Sequence, residues 1–316
     1  FIRMWSRRRL DIGFLDLAYG LMTCILPSNR RTAAANVERF WSDQDDVLVC
    51  LSVRSGFDLF LASLELPQDS EVLMSALTIP DMGKIVRKYG LIPIPIDLDV
   101  ESMTALPELF ESAVGPHSKI LLPTHLFGGR CSIEPLLEIA RRRGLIVVED
   151  CAQAFDGGEY KGSPEVDVIM FSFGPIKSST ALGGGILRVR DREILVKMRA
   201  VQAEQPVQTR IAYARRLLKY AFLVALSRCI CFTLLAWVCR IGRRDLSQLL
   251  NGSVRGFAGP QFFTRIRRSP SGPLLRLMLR RLRCCNKKQA TKQLKLSKIL
   301  VEHLNGKAFC PGVATP

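Results

Sequence analysis

Residues 145–189 read LIVVEDCAQAFDGGEYKGSPEVDVIMFSFGPIKSSTALGGGILRV and decide the fold class of this 316-residue chain. The stretch contains three short apolar runs, at residues 145–150, 166–173 and 185–189, separated by polar and glycine-rich sequence. Apolar runs of this length between turn residues are typical of strands that are buried on both faces of a sheet. We therefore expect three neighbouring strands here, two of which end in polar side chains.

Outward from this stretch, short apolar runs alternate with helix-forming segments from residue 46 onward. We expect further strands at 46–53, 71–77, 91–97 and 119–126, and helices at 56–66, 80–89, 106–114 and 132–143. This alternation predicts an α/β domain with a largely parallel sheet between two layers of helices.

Apolar periodicity and charge together divide the chain into three predicted segments. Residues 1–45 form a helical or loop segment without a clear period, 46–200 form the α/β domain, and 201–316 form a basic helical region. The chain has a formal charge of +16, yet residues 1–200 hold 23 Lys and Arg against 26 Asp and Glu, whereas residues 201–316 hold 22 against 3. The last third is thus predicted to face a phosphate-rich or membrane surface.

Composition excludes several classes of protein. Apolar residues make up 48% and charged residues 23% of the chain, which excludes a disordered or collagen-like polypeptide. The ten cysteines form no CxxC pair and no zinc-ligand spacing with the three histidines. We expect reduced cysteines, no metal site, no signal peptide and a cytoplasmic location.

Candidate chemistry lies where the predicted strands end, since ligands bind at the carboxyl ends of strands in open α/β sheets. Asp150 ends one strand, and its carboxylate can keep a heteroaromatic nitrogen protonated. Lys177 follows another strand on a turn and can form a Schiff base with an aldehyde. Ser172 and the helix start at residues 55–57 (SGF) can hold a phosphate. The aldehyde, the ring nitrogen and the phosphate are the three groups through which a protein binds pyridoxal phosphate.

These motifs resemble the DegT/DnrJ/StrS family of pyridoxal-phosphate-dependent sugar aminotransferases. Residues 149–154 (EDCAQA) match its EDxAQA strand end, and residues 171–177 (FSFGPIK) match its FSFxPxK turn, with a glycine-rich stretch following at 183–185. Residues 54–66 (RSGFDLFLASLEL) stand where the family has SGTxAL. Residues 125–150 (HLFGGRCSIEPLLEIARRRGLIVVED) are similar to its HLYG segment and the strand after it. The ordered resemblance runs from about 50 to about 200.

The resemblance implies a role for three residues at the cofactor ring. Lys177 would form the internal aldimine with pyridoxal phosphate and then carry protons between the substrate carbon and the cofactor. Asp150 would pair with the pyridine nitrogen. Gln153 would contact the side of the ring that bears the phenolic oxygen.

The resemblance also implies a phosphate site. Ser172 would contribute its hydroxyl, and Ser55, Gly56 and Phe57 would bind through the first turn of a helix. Phe57 stands where the family usually has Thr, so one hydroxyl is expected to be missing.

Two more positions are implied beside the ring. Ile79 stands where an aromatic side chain usually stacks on the ring, and His125 is expected to line the substrate side.

The resemblance implies a fold-type-I large domain with the C-terminal small domain cut short. The expected activity is transfer of an amino group from glutamate or glutamine to a nucleotide-linked keto sugar, in a homodimer, for polysaccharide, glycolipid or antibiotic sugar synthesis. The dehydratase branch of the family replaces this lysine, so the presence of Lys177 argues against a dehydratase. The alternatives are a pyridoxal-phosphate enzyme with a non-sugar substrate and a non-catalytic membrane-associated or regulatory protein, for which Phe57 and Ile79 are the support.

The basic last third contains two candidate membrane segments. Residues 221–239 are apolar over a length near that of a bilayer span, but Arg228 lies near their middle and both flanks are basic. This favours a helix in the membrane interface or a re-entrant segment, with a buried or dimer-interface helix as the alternative. Residues 273–283 predict a basic amphipathic helix on anionic lipid, so a peripheral position at the inner membrane face is expected. Nucleic acid is the less favoured partner, because no nucleic-acid-binding module is present.

Overall fold

The computed structural model describes residues 10–99, 103–228, 233 and 261–285. The strands are β1 (Val47–Cys50), β2 (Glu71–Ser75), β3 (Ile92–Ile96), β4 (Ser118–Leu122), β5 (Ile146–Asp150), β6 (Val168–Ser172) and β7 (Gly185–Val189). The helices are α1 (Phe14–Ile25), α2 (Arg30–Trp41), α3 (Val53–Leu64), α4 (Pro80–Lys88), α5 (Pro107–Ala113), α6 (Glu134–Arg143), α7 (Arg192–Glu204), α8 (Arg210–Leu226), α9 (Phe262–Ile266) and α10 (Gly272–Arg283).

The seven strands form one sheet in the order β1-β7-β6-β5-β4-β2-β3. All neighbouring pairs are parallel except those of β7, which runs antiparallel to both β1 and β6. The predicted α/β class with a mostly parallel sheet is therefore confirmed. Each run that was predicted as a strand overlaps one of the observed strands.

Alternate side chains of the strands face two separate apolar cores. Leu73, Leu121 and Val147 point to the core shared with α1, α2, α6, α8 and α10. Val72 and Val148 point to the core shared with α3, α4, α7 and α9. Since successive side chains of a strand point to opposite faces, continuous apolar runs require helices on both sides.

The N-terminal segment is better ordered than the sequence pattern indicated. Residues 10–45 include the two regular helices α1 and α2, where we expected helix and loop without a clear period. Asn29 caps α2 by accepting the Thr32 N–H at 3.2 Å. Val37 and Trp41 of α2 are buried in the same core as the sheet. The described parts of all three predicted segments thus share one core, while the boundaries at 45 and 200 stay a prediction.

The structure corrects the expectation for residues 273–283. They do form the amphipathic helix α10, but its apolar side chains, among them Leu275, Met278 and Leu282, are buried inside the protein. Arg280 and Arg281 donate to the Asp16 carboxylate of α1 at 3.0 and 2.8 Å. The apolar side of α10 is therefore occupied by protein and is not free for lipid.

The segment at 221–239 lies partly outside the described residues. Residues 221–226 end helix α8, and of residues 229–239 only Thr233 is described. Within the described ranges, no helix combines the length and the apolar composition that a bilayer crossing requires.

An aromatic cluster connects α2 to the strand ends. The ring centroid of Trp41 lies 5.0 Å from that of Phe171, 6.1 Å from that of Phe173 and 5.9 Å from that of Phe155. Phe171 and Phe173 flank Ser172 in sequence, so the cluster packs against the end of β6.

Replacing Trp41 by alanine is expected to lower the free energy of unfolding by about 3–5 kcal/mol, because Trp41 is only 3% exposed and its neighbours cannot close the cavity. Urea unfolding followed by circular dichroism measures this. The neighbouring Phe40 is 44% exposed, and Phe40→Ala is expected to change the free energy by only about 0.5 kcal/mol. Equal effects of the two substitutions would contradict a supporting role for Trp41.

Candidate active site

Six parallel strands direct their carboxyl ends to one edge of the sheet. The connections after β1, β2, β4, β5 and β6 all leave from this edge. They carry most of the residues that the sequence singled out. A polar site at this edge is what the topology of an open α/β sheet favours.

Asp150 is the last residue of β5 and is 5% exposed. Two hydrogen bonds fix its backbone. Its N–H donates to Pro123 O at 3.0 Å, and its carbonyl accepts the His125 N–H at 3.0 Å. Within the described part of the chain, one hydrogen bond reaches the carboxylate, from Ala152 N–H to Oδ1 at 3.0 Å. Oδ2 is thus left for a ligand. Burial raises the pKa of Asp150, while the hydrogen bond from Ala152 and the charge of Lys177 oppose the rise.

Lys177 lies on the turn that follows β6, where its N–H donates to Gly174 O at 3.1 Å. Burial lowers the pKa of Lys177, the Asp150 carboxylate opposes this, and the Arg54 guanidinium adds to it. Since β6 pairs with β5, the turn that carries Lys177 lies beside the strand end that carries Asp150. An amine with a lowered pKa has more of the neutral form that attacks a carbonyl.

The structure corrects the position of the helix start. Helix α3 begins at Val53 with Ser52 as its N-cap, whereas the sequence analysis put the first turn at Ser55, Gly56 and Phe57. Gly56 already donates its N–H to Ser52 O at 3.0 Å, so it has no donor left for a phosphate. Phe57 lies inside the helix with its side chain fully buried in the apolar core.

The first turn of α3 places the backbone N–H groups of Val53 and Arg54 at the same edge of the sheet. Only the first four N–H groups of a helix lack a partner within it. The N–H of Ser55 is satisfied by the Ser52 hydroxyl at 3.2 Å, and the two hydroxyls lie 2.9 Å apart. The absence of a Thr hydroxyl at position 57 therefore does not bear on this site, and the support that Phe57 gave to a non-catalytic protein is removed.

An ion pair joins the start of α3 to the start of α4. Arg54 Nε lies 2.7 Å from Asp81 Oδ2. Two residues before Asp81, Ile79 caps α4 and is 42% exposed. Ile79 is therefore accessible at this edge, and its contact with a cofactor ring stays a prediction. Nothing in the local sequence pattern indicated Arg54 and Asp81 as a pair, because they are 27 residues apart.

The glycine-rich stretch allows β7 to approach the start of α3. A Cβ at Gly185 would lie 2.6 Å from the backbone N of Val53, closer than real contacts permit. Gly184 has a φ of +94° and donates its N–H to Leu51 O at 2.8 Å. Gly184 and Gly185 thus allow the close packing of β7 against the start of α3.

His125 is buried, contrary to the expectation that it lines the substrate side. Its side chain is inaccessible, and Nε2 lies 2.7 Å from Glu149 Oε1. Nδ1 accepts the Cys131 N–H at 3.2 Å. The Tyr160 hydroxyl bonds both Nε2 of His125, at 3.1 Å, and the Glu149 carboxylate. His125 is therefore a structural member of a buried polar network below Asp150.

Glu149 belongs to this network and was not predicted as a site residue. It is fully buried, and its other oxygen, Oε2, accepts the Ser163 N–H at 2.9 Å. Burial raises the pKa of Glu149, but hydrogen bonds from His125 and Tyr160 outweigh burial and lower it. An acidic residue at a fully buried strand position is the signal that a polar partner lies beneath the sheet edge.

The two remaining predicted residues lie at the same edge. Ser172 ends β6, beside Gly185 of β7, and is half-buried. Gln153 is exposed in the turn after β5, where its Oε1 accepts the Phe127 N–H at 3.3 Å. The structure thus brings Asp150, Gln153, Ser172 and Lys177 to one sheet edge. Their assignment to particular atoms of a cofactor stays a prediction.

A buried carboxylate at the end of one strand, a lysine on the turn after the neighbouring strand and a helix start at the same sheet edge define a class of protein. They are the arrangement of a fold-type-I pyridoxal-phosphate transferase. The sequence model of the DegT/DnrJ/EryC1/StrS aminotransferase family matches residues 34–218. The chain belongs to this family.

About half of the chain is similar to a curated relative. It is 29% identical over 160 residues to GDP-perosamine synthase from Caulobacter vibrioides, a match that covers 50% of this chain and 43% of the relative. The chain thus spans less than half the length of this curated relative.

Solved structures share the fold. The structure of 3-amino-5-hydroxybenzoic acid synthase superposes with a TM-score of 0.64 at 17% identity, covering 97% of this chain and 70% of that one. DesV from S. venezuelae superposes with a TM-score of 0.52 at 24% identity, covering 67% of this chain and 62% of that one.

Proposed function

We propose that this chain is a pyridoxal-phosphate-dependent aminotransferase that moves an amino group from glutamate or glutamine to a nucleotide-linked keto sugar. The observation that carries the proposal is the position of Lys177, half-buried on the turn after β6, beside the buried Asp150 at the end of the neighbouring strand β5. Membership of the family and the similarity to GDP-perosamine synthase support the sugar substrate.

The residues at the sheet edge fit the cofactor. Asp150 has an oxygen without a hydrogen bond from the described residues, which suits a protonated ring nitrogen. The start of helix α3, with the positive end of the helix dipole, lies at this edge, and the Arg54 side chain adds positive charge, both of which suit a phosphate. When bound, pyridoxal phosphate supplies an aldehyde and an electron-withdrawing ring.

Each residue then has a task in amino transfer. The Lys177 amine anchors the cofactor and moves the proton at the substrate carbon. Asp150 holds the proton at the ring nitrogen. Ile79 excludes water from the ring face, and Gln153 and Ser172 orient the ring and the phosphate. These roles require that the two protonation states of Lys177 be close in energy, which its lowered pKa favours.

We propose further that the chain acts as a homodimer. Three exposed apolar side chains surround the site, with Ile79 42%, Phe127 59% and Ile176 62% exposed. Ile176 directly precedes Lys177, and Phe127 bonds Gln153 through its N–H. A second subunit that covers them would complete the site and exclude water.

A reducing cytoplasm is the proposed location. The six cysteines among the described residues are all unpaired, and Cys50, Cys131 and Cys151 are buried. Burial raises the pKa of Cys151, so its thiol is kept in the unreactive form.

The test is visible absorbance of the purified full chain after addition of pyridoxal phosphate. Covalent attachment to a lysine is expected to give a yellow protein, and glutamate is expected to bleach it with release of 2-oxoglutarate. A nucleotide-linked keto sugar should then restore the colour. A protein that takes up no pyridoxal phosphate would overturn the proposal, and bleaching without restoration by any keto sugar would overturn the sugar substrate alone.

A further inference from the structure

Helix α1 carries an apolar stripe on its outer side. Leu15 and Ile25 are 80% and 83% exposed, and Phe14 and Met22 are exposed to nearly half. These residues recur at helical spacing, while the opposite side of α1 packs on α8 and α10. Soluble helices usually present charged residues to water, so an apolar outer side indicates contact with something else.

Helix α8 continues this surface with apolar and cationic side chains. Ile211, Leu218 and Phe222 are 67%, 56% and 63% exposed. Arg215 and Lys219 are exposed on the same side of the helix, within one turn of Leu218. No acidic residue occurs in α8.

The two helices lie side by side and antiparallel. At one end the guanidinium of Arg228, just after α8, stacks over the Phe14 ring at 5.6 Å. At the other end Arg210 Nη1 donates to Leu26 O at 2.9 Å. Between them, the absence of a side chain at Gly20 lets Leu217 approach closely. We call the outer side of this pair, with its exposed side chains, the α1–α8 face.

The α1–α8 face is positively charged. Asp16, the one acidic residue of α1, is turned inward to Arg280 and Arg281 of α10. Arg215, Lys219 and Arg228 therefore have no exposed carboxylate beside them on either helix. A symmetric dimer through this face would oppose like charges, which disfavours a second copy as the occupant.

The sequence that adjoins the end of the helix pair near Phe14 is also both apolar and basic. Residues 1–9 contain four arginines together with Phe1, Ile2, Met4 and Trp5. Residues 229–239 contain no charged residue and are followed by three arginines within 240–244. Apolar and basic sequence thus leaves the helix pair at the end where Phe14 and Arg228 meet.

We propose that the α1–α8 face docks this protein onto a membrane of anionic lipid. Exposed Leu, Ile and Phe side chains enter the headgroup boundary, and the Arg and Lys side chains beside them bind lipid phosphates. This role goes beyond amino transfer, because none of these residues belongs to the candidate active site. It also differs from the membrane contact expected from residues 273–283, whose apolar side is buried.

The test is flotation of the full chain with vesicles of phosphatidylcholine and phosphatidylglycerol, against vesicles of phosphatidylcholine alone. The wild-type chain is expected to float with the anionic vesicles, and high salt is expected to weaken binding. The double variant Leu15→Glu/Ile25→Glu should lower the apparent vesicle affinity at least about tenfold. Both positions are highly exposed, so the fold should be kept.

The matched control is Val196→Glu/Val201→Glu on α7, which adds the same charge at exposed apolar positions on the other side of the sheet. It is expected to bind vesicles almost as the wild type does. Failure of the wild-type chain to float would overturn the proposal. Equal flotation of the Leu15→Glu/Ile25→Glu variant would also overturn it, since the contact would then lie elsewhere in the chain. If the wild type does not float and that variant dissociates a dimer in sedimentation, the occupant is a second copy.

Discussion

Replacing Lys177 by alanine is expected to lower the rate of amino transfer at least about 10³-fold, because one amine serves both as covalent anchor and as proton carrier. The residue lies on the turn after β6, where burial lowers its pKa and the Asp150 carboxylate opposes this. The yellow absorbance expected of the wild type with pyridoxal phosphate should be absent. Single-turnover absorbance changes with glutamate measure the loss.

Two further variants separate chemistry from charge. Lys177→Arg keeps a cation beside Asp150 but cannot add to an aldehyde, so it should lose activity as fully as the alanine variant. Lys197→Ala, at an exposed position of α7, is expected to leave the rate unchanged. A small primary amine added to Lys177→Ala should restore part of the rate if the side chain carries protons. Retention of more than a tenth of the activity by Lys177→Ala would remove this residue from the reaction.

Replacing Asp150 by asparagine is expected to lower the rate at least about 10²-fold, because a neutral amide cannot hold the proton at the ring nitrogen. The fold should be kept, since the amide oxygen of asparagine can still accept the Ala152 N–H that now bonds Oδ1. Steady-state rates with glutamate measure the effect, and urea unfolding checks the stability. Asp43→Asn, at an exposed position before β1, is the matched control and should be neutral.

The same substitution should also move a pH profile. The Asp150 carboxylate raises the pKa of Lys177, against the effects of burial and of Arg54. Without that charge the pKa of Lys177 falls further, so the free amine appears at lower pH. The rate of pyridoxal phosphate uptake should therefore rise at lower pH in Asp150→Asn than in the wild type. An unchanged profile would show that the two groups do not interact.

The pattern of apolar residues alone predicted most of the strands and helices of the fold. Each predicted strand overlaps an observed one, because a strand buried on both faces needs an unbroken apolar run such as residues 145–150. Asp150 was singled out because it ends such a run, and Lys177 because it lies on the turn after one. The direction of β7 could not be predicted, because the residue pattern of a strand does not depend on the direction in which the strand runs in the sheet.

The start of α3 shows where local sequence was insufficient. The motif at residues 55–57 resembled a phosphate-binding helix start, but the helix begins one turn earlier, at Val53. Ser52 is the better cap because its hydroxyl reaches the Ser55 N–H. Both serines are acceptable caps by residue type, and only the backbone geometry distinguishes them.

By itself the sequence determined the fold class, the family and the lysine–aspartate pair, because these depend on residue type and on short spacing along the chain. Only the tertiary structure decided the environment of each side chain. It buried His125 beneath Asp150, used the apolar side of α10 for the core and left that of α1 exposed. The physical reason is that an apolar helix face is equally suited to protein or to lipid. Which of the two it meets depends on what packs against it, and that is set by residues far away in the chain.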